Sequence, residues 1–247
     1  MHAVKLKFSM SSRIISWIKR QVVQAKAKGI VMGLSGGIDS CVVAALVKKA
    51  VGRNSLLALI LPCESHSSDS EDAMAMARKF KIKTEIIDLS GVYNNLLKIL
   101  PPSKGLAKNN LKPRLRMLIL YYFANKLNYL VCGTGNKSEL MVGYFTKHGD
   151  GGVDILPIGG LLKKQVRALA EELGIPGNII NKPPSAGLWH GQTDEGEMGI
   201  TYNELDDILE RMANDRKQLS AKGAVAKVKK MVNNSGHKRS GPKVCNI

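Results

Sequence analysis

Gly33-Leu34-Ser35-Gly36-Gly37-Ile38-Asp39-Ser40 is the stretch on which the fold turns. A short, mostly β-branched run, Ile30-Val31-Met32, leads into it, as a buried strand would. Val42-Val43-Ala44-Ala45-Leu46-Val47 leads out and continues through Lys48 and Lys49 to Gly52, the length and ending of a helix. Ser35-Gly36-Gly37 therefore turns a strand into a helix N-terminus. Two adjacent glycines let backbone N–H groups approach an anion, and the first helical turn adds unpaired donors and a positive dipole end. Asp39 is the odd member of this phosphate cradle. A carboxylate beside phosphates calls for a cation between them, which points to Mg²⁺ bridging Asp39 to a di- or triphosphate.

The loop is neither GxxxxGK[ST], since no lysine precedes its last serine, nor GxGxxG. It resembles the SGGxDS loop of the ATP pyrophosphatase group, enzymes that split ATP between its α and β phosphates and adenylate a substrate oxygen. The bland alternative is a Gly-Ser turn with no ligand.

Outward from the loop, apolar runs alternate with helical periodicity. Ile14, Ile15, Ile18 and Val22 predict a helix within 9–28. Residues 56–61, 85–89 and 129–132 read as further strands, and 67–80, 92–100, 115–127 and 161–173 as helices, with a polar loop over 103–110. Strands alternating with helices imply an α/β fold with a parallel, doubly wound sheet, whose ligands sit at the carboxyl ends of its strands. Residues 183–200 read as loop. Tyr202, Leu205, Ile208, Leu209 and Met212 mark a helix face, Val225, Val228, Met231 and Val232 another, and His237-Lys238-Arg239 opens a basic tail. We expect one domain over 1–247, with a helical extension from about 201.

The 247 residues, 44% hydrophobic and 23% charged, suit a globular protein. Thirty-seven Lys and Arg against 20 acids give a net charge of +17, which favours polyanions without choosing between nucleotides, nucleic acid and anionic lipid. Cys41 and Cys132 lie in apolar runs as reduced thiols do, and no run reaches about 18 apolar residues. These features predict a soluble, cytoplasmic setting and no membrane partner.

The fourth strand empties into Gly133-Thr134-Gly135-Asn136-Lys137-Ser138-Glu139, followed by Gly143-Tyr144-Phe145-Thr146-Lys147-His148-Gly149-Asp150-Gly151-Gly152-Val153-Asp154. Aromatics offer faces for a planar ring and Lys147 a charge for an anion. Glu139 is placed to complete a metal site with Asp39. In order along the chain, GxSGGxDS, GTGNKSE, GYFTKHGDGGVD, KPPSAGLW, GQTDE and HKR together resemble ammonia-dependent NAD⁺ synthetase, from about residue 10 to about 243.

That resemblance implies a reaction: deamido-NAD⁺ and ATP give a nicotinate adenylate and pyrophosphate, and ammonia displaces AMP. It implies ATP contacts from Gly33, Leu34, Ser35, Gly36, Gly37, Ile38, Asp39, Ser40, Thr134, Lys163 and Ser185. Mg²⁺ would fall to Asp39 and Glu139, and deamido-NAD⁺ to Arg114, Lys147, Asp154, His237 and Lys238. Lys163 and Asp150 would be catalytic, Lys163 on the phosphates and Asp150 orienting ammonia or taking its proton. Family members are homodimers, which would give the late helices' apolar faces a partner. Free ammonia is the expected donor because the chain leaves no room for a glutaminase domain; a separate glutaminase stays open. Many bacterial members have GTDHAAE where this chain has GTGNKSE and Thr where it has Ser185, and His190 stands where relatives often have Pro. The rival readings are a solvated helix charge for Arg114, an ordinary helix-start lysine for Lys163, a role that suits Lys164 better, and a disordered basic tail for His237-Lys238-Arg239. Two rival functions remain on sequence: an RNA-modifying ATP pyrophosphatase and a nucleotide sensor without turnover. Deamido-NAD⁺, ATP and ammonia are the expected partners, with no nucleic acid required.

Overall fold

The computed structural model describes residues 9–189, 191–214 and 222–245. His190 lies outside the described residues. The chain opens with α1 (Met10–Gln24), β1 (Gly29–Gly33), α2 (Ile38–Val51), β2 (Leu56–Ile60), α3 (Ser67–Phe80) and β3 (Thr84–Ile86). It continues through α4 (Ser90–Ile99), α5 (Leu106–Asn109), α6 (Leu111–Leu127), β4 (Tyr129–Cys132), α7 (Lys137–Val142) and α8 (Lys163–Glu172). Five helices finish it: α9 (Gly177–Ile180), α10 (Asp194–Met198), α11 (Tyr202–Asn214), α12 (Gly223–Asn234) and α13 (Gly236–Arg239).

The sheet is parallel, in the order β3-β2-β1-β4. The chain runs outward from β1 through β2 to β3, then returns to pair β4 with the other side of β1. The order reverses there, so the crevice beyond the carboxyl ends of β1 and β4 is the topological switch point.

Strand alternation builds a core on each face. Ile30, Met32, Leu56, Ala58 and Ile60 join α2 and residues of α1, α3 and α8 on one side. Val31, Leu57, Leu59 and Val131 meet Tyr93, Met117, Leu120 and Ala124 of α4 and α6 on the other. A third cluster joins α7 to the late helices through Val142, Leu162, Met198, Tyr202, Leu205, Ile208, Leu209 and Val228. The expected doubly wound α/β sheet with a helical extension is what forms.

Several local expectations need correction. The third strand spans Thr84–Ile86 rather than 85–89; the Ile87 and Leu89 N–H groups still donate to the Ile60 and Pro62 carbonyls at 3.0 and 2.8 Å, and Asp88 accepts the Ser90 N–H at 2.8 Å where α4 begins. The 103–110 loop contains α5, and 183–200 contains α10, whose cap is the Thr193 hydroxyl accepting the Gly196 N–H at 3.2 Å. Leu205, Ile208 and Leu209 of α11 and Val228 of α12 are buried within the chain, with Met212, Val225, Met231 and Val232 half-buried against them. Among the exposed apolar residues are Val92 and Ile99 on α4 and Leu118 and Tyr122 on α6. The segment at 237–239 is not a free tail. It forms α13, and Arg239 donates to the carbonyls of Met141 and Val232 at 2.7 Å each.

Candidate active site

The switch point gathers the candidate residues from four elements. The loop after β1 carries Ser35 to Ser40. Gly36 adopts φ +79°, a region favouring glycine. The Ser40 hydroxyl accepts the Ser35 N–H at 3.2 Å and lies 3.1 Å from the Ser35 hydroxyl, fixing the loop against the first turn of α2. Ser35 is exposed, at the mouth of the crevice.

Asp39 and Glu139, 100 positions apart, meet on one ammonium group. Lys163 Nζ is paired with Asp39 Oδ2 and lies 3.4 Å from Glu139 Oε1. Asn136 locks the carboxylates from the other side. Its Nδ2 donates to Asp39 Oδ1 at 3.0 Å, and its Oδ1 accepts the Glu139 N–H at 3.0 Å. Glu139 Oε2 accepts the Asn136 N–H at 3.2 Å, closing a capping box at the start of α7. Sequence reasoning missed Asn136, although an Asn three residues before a Glu is the signature of such a box.

Beyond the pair stands a third carboxylate. Tyr202 Oη lies 2.9 Å from Asp194 Oδ2 and 3.2 Å from Glu139 Oε1. Neither Asp194 nor Tyr202 was anticipated. Asp194 sat in a stretch read as loop, and Tyr202 fits a helix's apolar face equally well. Burial raises Glu139 to about 7, reinforced by the Asp39 charge and opposed by Lys163. Burial pulls Lys163 down, but the Asp39 and Glu139 charges more than offset it, and the amine is held above its ordinary range. Burial also raises Asp194.

The donor set fits a magnesium ion once a nucleotide is bound. Among the described residues no group of three or more His, Cys, Asp or Glu is arranged to hold a metal. Two carboxylates are nonetheless the usual protein share of a Mg²⁺ shell that phosphate oxygens and water complete. A bound cation would offset the burial that raises Glu139 and favour its charged form.

The remaining candidates fall into two groups. Thr134 lies between β4 and Asn136. Ser185 lies on the segment after α9, its hydroxyl accepting the Gly187 N–H at 3.1 Å. Lys182 ties the start of that segment to Asp69 at 2.8 Å and Asp72 at 2.7 Å on α3, and Lys112 holds its end through the Leu188 carbonyl at 3.1 Å. Neither lysine was singled out from sequence.

Arg114, Lys147, His237 and Lys238 form a second group. Arg114 Nε donates to the Lys147 carbonyl at 3.3 Å, and Lys147 Nζ to the His237 carbonyl at 2.7 Å. Lys238 Nζ donates to the Gly143 and Phe145 carbonyls at 2.8 and 2.9 Å, and burial lowers its pKa. Asp150 accepts the Thr146 N–H at 2.9 Å, and burial raises its pKa. Asp154 is engaged differently: its two oxygens accept the Val131 N–H at 2.7 Å and the Tyr121 hydroxyl at 3.0 Å. Cys41 is buried and its thiol pushed up to about 12, so it is no nucleophile at neutral pH.

The NAD synthase family profile matches residues 10–242. An NH(3)-dependent NAD(+) synthetase from Carboxydothermus hydrogenoformans is 47% identical over 243 residues, covering 95% of this chain and 96% of the relative. The solved structure of NMN synthetase from Francisella tularensis superposes with a TM-score of 0.88 at 41% identity, covering 98% of this chain and all of that one. An NH3-dependent NAD synthetase from Campylobacter jejuni gives 0.82 at 29% identity, covering 96% of this chain and 97% of that one. A match of this extent, on a fold that brings Asp39, Glu139 and Lys163 together, means that the chain belongs to the NAD synthase family.

Proposed function

We propose that this protein condenses ammonia with deamido-NAD⁺ at the expense of ATP, giving NAD⁺, AMP and pyrophosphate as a C–N ligase. The observation that carries this is the convergence of Asp39 and Glu139 on the Lys163 ammonium, behind a glycine loop open to a triphosphate.

A carboxylate is a poor acyl donor because its oxygen leaves poorly, and adenylation makes that oxygen part of a phosphate ester. Loop N–H groups and the Ser35 and Ser40 hydroxyls cradle the phosphates. Lys163 reaches the pyrophosphate and stabilises charge as it departs. Asp39 and Glu139 would hold Mg²⁺, which when bound neutralises phosphate charge and acts as a Lewis acid. Gly33, Leu34 and Ile38 shape the cradle, Thr134 and Ser185 contact ATP, and Arg114, Lys147, Asp154, His237 and Lys238 receive the dinucleotide. Asp150 orients ammonia or takes its proton.

The test measures pyrophosphate release with Mg²⁺, ATP and ammonia in four arms: deamido-NAD⁺, nicotinate mononucleotide, tRNA and no acceptor. Deamido-NAD⁺ should be the preferred acceptor. The mononucleotide is the second reading, favoured by the 0.88 TM-score to NMN synthetase. Turnover highest with tRNA would reject both, and release without any acceptor would leave only an ATP hydrolase.

We also infer a homodimer through the α4–α6 face, where Val92, Ile99, Leu118 and Tyr122 are exposed. Equilibrium sedimentation checks it, and Leu118→Glu should give monomers. A cytoplasmic setting fits the four free cysteines. No helix of the described residues is long and apolar enough to cross a membrane.

A further inference from the structure

Tyr202 opens α11, and its side chain touches two of the residues assigned to the chemistry. It is 2% exposed. Its ring lies beneath the Lys163 ammonium, with Nζ 4.8 Å from the ring centroid. Its hydroxyl reaches Glu139 and Asp194 at 3.2 and 2.9 Å, and its backbone N–H donates to Glu195 Oε1 at 2.8 Å.

One turn on, the same helix face presents Asp206, fully buried. Asp206 accepts the Ser138 hydroxyl, and it accepts the Lys164 N–H at 2.8 Å. Ser138 Oγ accepts the Lys163 N–H at 3.0 Å. Lys163 is thus held at both ends by α11: its backbone through Ser138 and Asp206, its ammonium over Tyr202.

Core filling alone does not explain this arrangement. A phenylalanine would occupy the same space without a hydroxyl to desolvate. A tyrosine has one proton to donate, yet two carboxylates flank it. Asp194 is 5% exposed; its Oδ2 takes the Tyr202 hydroxyl at 2.9 Å, and a second hydroxyl, that of Tyr144, stands beside it while donating to Glu197 at 2.8 Å. Burying a carboxylate costs stability, so the pair is better explained by orientation than by packing.

We propose that Tyr202, backed by Asp194, is a positioning pair that fixes the Glu139 carboxylate and the Lys163 ammonium for handling the ATP phosphates. The late helical unit is then part of the catalytic apparatus, with α11 carrying order into the sheet edge. This rests on the reading of Asp39, Glu139 and Lys163 as the cation- and phosphate-handling groups.

The test uses the full chain as Tyr202→Phe, Asp194→Asn and the double variant. Phe keeps ring and volume and removes only the hydroxyl, and Asn keeps shape and removes charge. Calorimetry reads ATP binding across Mg²⁺ concentrations without acceptor, and steady-state kinetics reads kcat and KM separately. Loss of a partner that orients a metal ligand costs about 10–100-fold in metal affinity or activity. Tyr202→Phe should therefore raise the Mg²⁺ needed for half-maximal ATP binding about tenfold and lower kcat by about 10–100-fold, while KM for the acceptor stays within about twofold. Asp194→Asn should move the same readouts in the same direction, and the double variant should be no worse than Tyr202→Phe, since Asp194 acts on Glu139 only through the Tyr202 hydroxyl.

A Tyr202→Phe protein with unchanged Mg²⁺ requirement and kcat overturns the proposal, as does a double variant whose losses multiply. If Tyr202→Phe does not fold, Asp194→Asn decides by the same Mg²⁺ shift. A wild type that binds ATP with Mg²⁺ but amidates no acceptor would fail the functional reading, while the ATP titration still judges the positioning pair.

Discussion

A Cβ placed on Gly36 would stand 2.5 Å from the backbone oxygen of Asp69. It would also lie 2.9 Å from the Asp72 Cβ. The phosphate loop and the first turns of α3 therefore share a contact with no room for a methyl group. The same helix holds Lys182 through Asp69 and Asp72, so Gly36, α3 and the Ser185 segment form one connected rim around the phosphate side of the crevice.

Gly36→Ala should be costly on two counts. A left-handed conformation costs a non-glycine residue about 1–2 kcal/mol. Overpacking against backbone adds about 1–3 kcal/mol. We expect a loss of roughly 2–5 kcal/mol in urea unfolding and at least about tenfold weaker ATP binding by calorimetry, through the displaced loop. Wild-type ATP affinity in this variant would show that the loop does not hold the nucleotide.

Lys182→Met should separate positioning from stability. The ammonium is partly exposed, so the lost ion pairs should cost less than about 1 kcal/mol. Release of the segment bearing Ser185 should raise KM for ATP about five- to tenfold with a smaller change in kcat, and Lys182→Arg should recover part of it. An unchanged KM for ATP would detach the Ser185 segment from nucleotide binding.

Much of this architecture was legible because the signals are local. The glycine loop with its flanking apolar runs specified strand, turn and helix, and α3 spans 67–80 as its acidic first turn and apolar spacing indicate. What was not legible depends on tertiary partners. The third strand stops short of 89 because α4 begins at Ser90, where the Asp88 carboxylate accepts the first N–H. Asn136 acquires meaning only when Asp39 arrives from the β1 edge. Tyr202 and Asp206 look like ordinary helix residues until α8 packs beside them. The tail at 237–239 reads as solvated because its partners are backbone carbonyls, which leave no trace in the sequence.

The raised Glu139 makes the metal-free protein's stability depend on pH. Its folded pKa of about 7 lies above the unfolded value of 4.5, so the folded state retains a proton that the unfolded chain releases. That contribution is complete below about pH 4.5 and is lost as pH rises through about 7. Asp150 and Asp194, also raised, act in the same direction. The Glu139 share should be roughly 1–3 kcal/mol between these limits. Urea unfolding at pH 5 and pH 8 in chelator should show a smaller difference for Glu139→Gln than for wild type. Equal differences would remove Glu139 as the source.

The acceptor edge allows binding and structural roles to be told apart. Lys147 spends its ammonium on the His237 and Ser240 carbonyls at 2.7 and 3.4 Å, groups that return to water when it is removed. Lys147→Ala should therefore cost less than about 1 kcal/mol of stability. It should weaken deamido-NAD⁺ binding about tenfold, because it also loosens the α13 contact beside Arg114. Asp154 is placed otherwise. Its carboxylate accepts the N–H of Val131, a fully buried residue of β4. Asp154→Ala leaves that donor unpaired at about 1–3 kcal/mol, and Asp154→Asn, which keeps an acceptor oxygen, should lose less. Urea unfolding of the three variants, with calorimetric titration of deamido-NAD⁺ and of ATP, reads both roles in the same samples. ATP affinity should change little in Lys147→Ala, whose ammonium is engaged with the His237 and Ser240 carbonyls rather than with the Ser35–Ser40 loop. If Asp154→Ala keeps full stability while losing the acceptor, and Lys147→Ala does the reverse, then Asp154 faces the ligand and Lys147 serves only to dock α13.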